Sequence, residues 1–141
     1  MTGVSGMFVG SANPVRGLNG GGLPWVVRSA HGEVNGRGEV EVRVRGLVLD
    51  PNDPTVISRG LAGVNPIASF MVVVSCISVD AGGNPVVVNV STKAFPATTG
   101  PASAGGGNAH IETHVTLPAV CNMPVVFVTS PTGAWFAATR F

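Results

Sequence analysis

His110, Glu112 and His114 recur at every second position of His110-Ile111-Glu112-Thr113-His114, the spacing at which a β-strand turns side chains to one face. Imidazole and carboxylate together are zinc chemistry. Same-face side chains on one strand stand about 7 Å apart, however, so only neighbours could share an ion and a tetrahedral site would need further ligands. His31 and Glu33 could supply them if their strand ran alongside. Without that convergence the group is a polar outer face, and this is the reading adopted: no metal and no cofactor are assigned.

Other chemistry-bearing residues lead to turns, strands and core. Ser29, His31 and Glu33 share one parity, but a hydrolytic triad needs its nucleophile held against the base by a sharp turn, and the chain has no G-x-S-x-G elbow. Cys76 and Cys121 lie outside any C-x-x-C pair, so neither reads as a catalytic thiol. Gly20 to Gly22 and Gly105 to Gly107 lack the phosphate-loop pattern and read as loops. Asp50, Asn52 and Asp53 could surround calcium, yet the glycine and glutamate of an EF-hand are missing, which leaves turn-forming Asp-Pro pairs. Asn89-Val90-Ser91 matches a glycosylation sequon but falls inside a predicted strand. Trp25, Trp135 and Phe136 would make a stacking platform for a sugar or an apolar partner if they faced outward, and would plug the core if they faced inward.

These residues sit in a chain built for sheets. Twenty-five of 141 residues are valine, tyrosine and glutamine are absent, and Lys93 is the one lysine. Charged residues are 11% of the chain, against about 25% in ordinary soluble proteins. With a formal charge of +1 the surface repels itself weakly, which eases self-association or attachment to a partner surface. Scattered arginines, with Arg43 and Arg45 offset by Glu39 and Glu41, argue against a nucleic-acid partner. The longest apolar runs, Phe70 to Val74 and Ala134 to Ala138, fall far short of the roughly 20 residues that cross a bilayer. Met1 to Ser11 has neither the basic region nor the apolar core of a signal peptide.

Periodicity then supplies the elements. Residues 1 to 24 read as a Gly- and Asn-rich arm, able to drape over the sheet, with at most a short strand at Met7 to Val9; one domain follows over residues 25 to 141. Trp25 to Val34 is a strand candidate, and Asn35-Gly36 offers the positive φ of a hairpin turn. Glu39 to Arg45 alternates cleanly, with Val40, Val42 and Val44 on the buried side. Gly46 predicts a bulge or bend. The proline-rich link from Pro51 to Pro66 is long enough to cross between sheets. Phe70 to Val79 is apolar on both parities, as a central strand covered on both sides would be. It turns through Asp80 to Pro85 into its partner strand, where Val86, Val88 and Val90 alternate with Val87, Asn89 and Ser91. Thr98 to Asn108 is a second long link. Ile111, Thr113, Val115 and Leu117 define another buried parity, and a last hairpin joins Val125 to Thr129 with Ala134 to Thr139. No apolar stretch has helical period over three turns. The expectation is an all-β, two-layer antiparallel sandwich of seven or eight strands built from three hairpins, with a small closed barrel as the alternative. The two cysteines allow either one disulfide, worth about 4 kcal/mol by loop entropy, or two buried thiols.

Leu23-Pro24-Trp25-Val26-Val27, Val74-Ser75-Cys76-Ile77-Ser78-Val79-Asp80 and Leu117-Pro118-Ala119-Val120-Cys121 form one set of landmarks. Pro124 to Pro131 and Gly133 to Thr139 complete it. Together they resemble a family of small, usually exported bacterial all-β proteins of unassigned function, over about residues 23 to 139. The resemblance implies a Cys76–Cys121 disulfide and an extracellular or cell-surface setting; it implies no ligand and no catalytic residue. The functional expectation is a non-catalytic structural or protein-interaction module, self-associating or bound to a protein or cell-surface partner. A carbohydrate-binding module using Trp25 or Trp135, and a metal-dependent hydrolase, are the alternatives.

Overall fold

A computed structural model describes Thr2–Gly3 and residues 14–139. The short strand expected at Met7 to Val9 lies outside the described residues. In chain order the strands are β1 (Thr2–Gly3), β2 (Trp25–Val26), β3 (Ser29–Val34), β4 (Glu39–Arg45) and β5 (Val48–Leu49). After the short helix α1 (Pro54–Ser58) come β6 (Val64–Asn65), β7 (Ser69–Val79), β8 (Pro85–Ser91), β9 (Phe95–Pro96) and β10 (Gly100–Pro101). The last three are β11 (Ala109–His114), β12 (Asn122–Thr129) and β13 (Trp135–Ala138). Seven of these have four residues or more, and they carry the architecture.

The larger sheet runs β1-β13-β12-β7-β8, with β9 continuing β8's side of β7. The smaller one runs β11-β4-β3. Both are antiparallel, they stack as a sandwich, and neither closes into a barrel. All three expected hairpins form, as β3–β4, β7–β8 and β12–β13. Both long links do cross between layers: residues 50–68 lead from β5 to β7, and residues 97–108 lead back from β9 to β11. Asn65, fully buried between them, donates to the Ile67 and Thr98 carbonyls at 2.8 Å each and accepts from Ile67 N at 2.9 Å. With its polar atoms satisfied, this side chain staples the two links together.

Alternation decides which residues enter the core. Val40, Val42 and Val44 of β4 and Ile111 of β11 meet Val72, Val74 and Cys76 of β7 and Val126 and Val128 of β12. The opposite face of the larger sheet is apolar too, which explains β7's double parity: Val73, Val125, Phe127, Trp135 and Ala138 form a second cluster beneath Val15 and Leu18. Val15 and Leu18 exchange backbone hydrogen bonds at 2.9 and 3.0 Å around Arg16 (φ 54) and Gly17 (φ 78), a two-residue hairpin with both central residues left-handed. Arg16 donates to the Ser75 carbonyl at 3.4 Å and the Met123 carbonyl at 3.0 Å, while Asn89 Nδ2 donates to the Arg16 carbonyl at 2.8 Å. One arginine thus pins the arm across β8, β7 and β12.

Two local expectations need correction. Trp25 to Val34 is not one strand: Gly46 (φ 65) bends the chain opposite Arg28, so the ribbon splits into β3–β4 and a separate β2–β5 pair. The positive φ expected of Asn35-Gly36 sits at Gly38 (φ 82). A Cβ at Gly38 would collide with the Val115 carbonyl oxygen, which lies directly against it.

Candidate functional site

β4 lies between β3 and β11, and its register stacks the polar parities of all three strands into rows. His31, Arg43 and His110 form one row, Glu33, Glu41 and Glu112 the next, and Glu39 with His114 a third. All four glutamates and all three histidines of the chain are in these rows. A shallow open cleft of about 420 Å³ follows the carboxylates, lined by Glu33, Glu39, Glu41 and Glu112.

Like charges directly opposite each other destabilise a sheet, and the neighbouring row answers them. Arg43 Nε donates to Glu41 Oε1 at 2.8 Å. His110 Nε2 stands 3.6 Å from that same oxygen and 3.5 Å from Glu112 Oε1, and His31 Nε2 stands 3.6 Å from Glu33 Oε2. The hydrogen bond from Arg43 is the main cause that holds the Glu41 carboxyl below its ordinary value of 4.5; partial desolvation opposes it, and the charges of Arg43 and His110 assist.

Of the metal candidates, His110 and Glu112 do come together, joined by Glu41, with ligand atoms within 4.8 Å of one another. It is the one such group of three among the described residues. His31 does not join them: Arg43 stands between it and His110 in register. His114 turns away and bonds the Arg37 carbonyl at 2.7 Å. Glu41 Oε1 already accepts from the Arg43 guanidinium and faces His110, so the arrangement as it stands is an exposed ion-pair network. Glu41 was missed as a member because β4 and β11 are distant in sequence and no local pattern announces their pairing.

The remaining candidates separate. Ser29 lies opposite Arg45, about 7 Å along the strand from His31, so the hydrolytic set does not assemble. Asp50 Oδ1 accepts from Asn52 N at 2.9 Å, and Asp53 Oδ1 caps α1 by accepting from Thr55 N and Val56 N at 3.0 Å each. Those oxygens serve turns and a helix start, where short polar side chains are favoured. The ligand platform is contradicted: Trp25 is 3% exposed, Trp135 7% and Phe136 3%. Trp25 stacks on Phe136 with ring centres 4.1 Å apart in the main core, whereas Trp135 packs edge-on against Phe127 at 5.8 Å in the second cluster. The two indoles lie on opposite sides of one sheet.

Cys76 and Cys121 are bonded, with Cα atoms 4.8 Å apart, tying β7 to the segment that enters β12. On β7's other side lies β8, as the hairpin predicts, but no motif signals what its outer edge offers. Asp80 N donates to the Asn84 carbonyl and Thr92 N to the Val72 carbonyl, both at 2.9 Å, one at each end of the β7–β8 ladder. Counting the antiparallel alternation from either end turns the N–H and C=O of Val86, Val88 and Val90 toward β7 and those of Val87, Asn89 and Ser91 outward. No described strand pairs with that outer edge. Val87 is 44% exposed, and Met123, in the β12 bulge beside Ile77, is 72% exposed. From Ala81 to Thr92 the chain carries no charge, so the edge lacks the charged residues that usually guard one.

No protein-family model, no curated protein and no solved structure matches the chain. Among the described residues no helix is long and apolar enough to cross a membrane.

Proposed function

We propose that this chain is a non-catalytic β-sandwich module that works at the cell surface or in the extracellular space by holding a protein partner through sheet extension. The single observation that carries the reading is the outer edge of β8, with its row of outward backbone donors and acceptors and its uncharged, valine-rich flank. Strand addition draws affinity from such main-chain groups and specificity from the side chains beside them. The Cys76–Cys121 disulfide supports the oxidising setting, and it braces β7, the strand on which β8 rests. A low surface charge supports association over steering.

The test is fractionation of producing cells with thiols trapped at lysis. The reading expects the chain in the surface or medium fraction with Cys76 and Cys121 oxidised. A reduced chain confined to the cytoplasm contradicts it.

A further inference from the structure

We infer that the partner of the β8 edge is a second copy of this chain, docked antiparallel about a two-fold axis at Val88, so that two larger sheets become one. This rests on the sheet-extension reading above and names its occupant. Outward groups lie at odd positions only, Val87, Asn89 and Ser91, with Pro85 contributing a carbonyl. A two-fold axis at Val88 pairs Val87 with the second copy's Asn89 and Pro85 with its Ser91, so every outward N–H of β8 receives an acceptor.

The same register treats the other parity equally well. Val86, Val88 and Val90 meet Val90, Val88 and Val86 of the second copy, which covers Val86, now 38% exposed. Moving the axis by one residue, to Asn89, keeps the number of hydrogen bonds but sets Val86 against Thr92 and stacks two asparagines. β-Branched pairs across a ladder are the favourable ones. Proline at position 85 fits as well: it occupies a site whose nitrogen faces away from β7, where a missing N–H costs the chain nothing internally.

Charge selects orientation. Lys93 and Asp80 bracket the uncharged stretch at its two ends. Antiparallel docking about Val88 places Lys93 opposite Gly83 of the second copy, in the same turn as Asp80, twice per dimer. A parallel arrangement would instead set lysine beside lysine and aspartate beside aspartate. Lys93 Nζ stands 5.4 Å from the Phe95 ring centre, with no carboxylate partner in its own chain among the described residues.

Sedimentation equilibrium of the full chain tests this. An edge-only interface is small, so a dimer is expected near about 100 μM that dissociates on dilution. Val87→Pro removes an outward N–H without touching the β7 ladder and is expected to weaken the dimer about thirtyfold, the loss of two hydrogen bonds per dimer. Lys93→Glu is expected to weaken it about fivefold or more at low salt, by adding like charge at both ends. A dimer indifferent to both variants overturns the inference. So does a chain that stays monomeric at every concentration; if the Val87, Asn89 and Ser91 amides then exchange freely, the edge remains open and only the second copy is ruled out. Slow exchange at those amides in a dilute monomer sinks the sheet-extension reading as well.

Discussion

Glu41 and Glu112 face each other directly across β4 and β11, and His110 Nε2 stands within 3.6 Å of an oxygen of each. This is the densest charge on a sparsely charged surface, and its stability depends on the cation beside it. Because Arg43 lowers the Glu41 carboxyl value, the ionised form favours the fold. Its contribution is complete above the ordinary value of 4.5 and is lost as pH falls through the lowered one. Thermal unfolding should therefore show wild type above Glu41→Gln at neutral pH, with the gap closing in acid. A gap that widens below pH 4.5 would reverse the sign.

Gly38 holds φ 82 with no room for a Cβ against the Val115 carbonyl, and its own carbonyl accepts from Val115 N at 2.8 Å. Gly38→Ala should cost about 3 kcal/mol in denaturant unfolding, combining left-handed strain with displacement of the chain after β11. Gly36→Ala, in open space without positive φ, should stay within about 0.5 kcal/mol. Equal losses at the two glycines would show that the turn is not built as described.

Much of this was legible in sequence and some was not, for definite reasons. Val40, Val42 and Val44 could be placed because one face of β4 is wet and one dry, so its period of two survives in the residues. The same logic located the hairpins, each bounded by Gly, Asn or Pro. Pairings between distant strands leave no local trace, so Glu41 could not be joined to His110, nor could His31 be seen to stand apart from it. Burial of Trp135 depends on the second apolar layer beneath Val15 and Leu18, which a strand's own alternation does not report. Ordinary alternation sends the adjacent rings of Trp135 and Phe136 to opposite faces, but the register irregularity between Val128 and Thr129 puts the neighbours Phe136 and Ala137 in one cluster, a fact invisible in Phe136-Ala137-Ala138.

Ser75 Oγ is buried with no hydrogen-bond partner among the described residues, under the arm pinned by Arg16. A buried hydroxyl without a partner carries a desolvation cost. Ser75→Ala should be neutral or stabilising by up to about 1 kcal/mol, read from the midpoint of unfolding. Destabilisation by 2 kcal/mol or more would mean the hydroxyl is satisfied.

The disulfide closes a sequence separation of 45 residues between β7 and the approach to β12. Replacing both cysteines by alanine should cost about 4 kcal/mol by the loop-entropy relation. Calorimetry under oxidising and reducing conditions checks this, since the double variant should not respond to reductant. A wild type whose unfolding ignores reduction contradicts the expectation.

The account turns on the outer edge of β8, which no described strand claims, and residue-resolved amide exchange in dilute protein reads that edge directly. Val86, Val88 and Val90 should exchange slowly and Val87, Asn89 and Ser91 fast, a period of two along one strand, with the fast set slowing as concentration rises. Uniform protection along β8 at low concentration, or fast exchange at all six, would contradict the central claim.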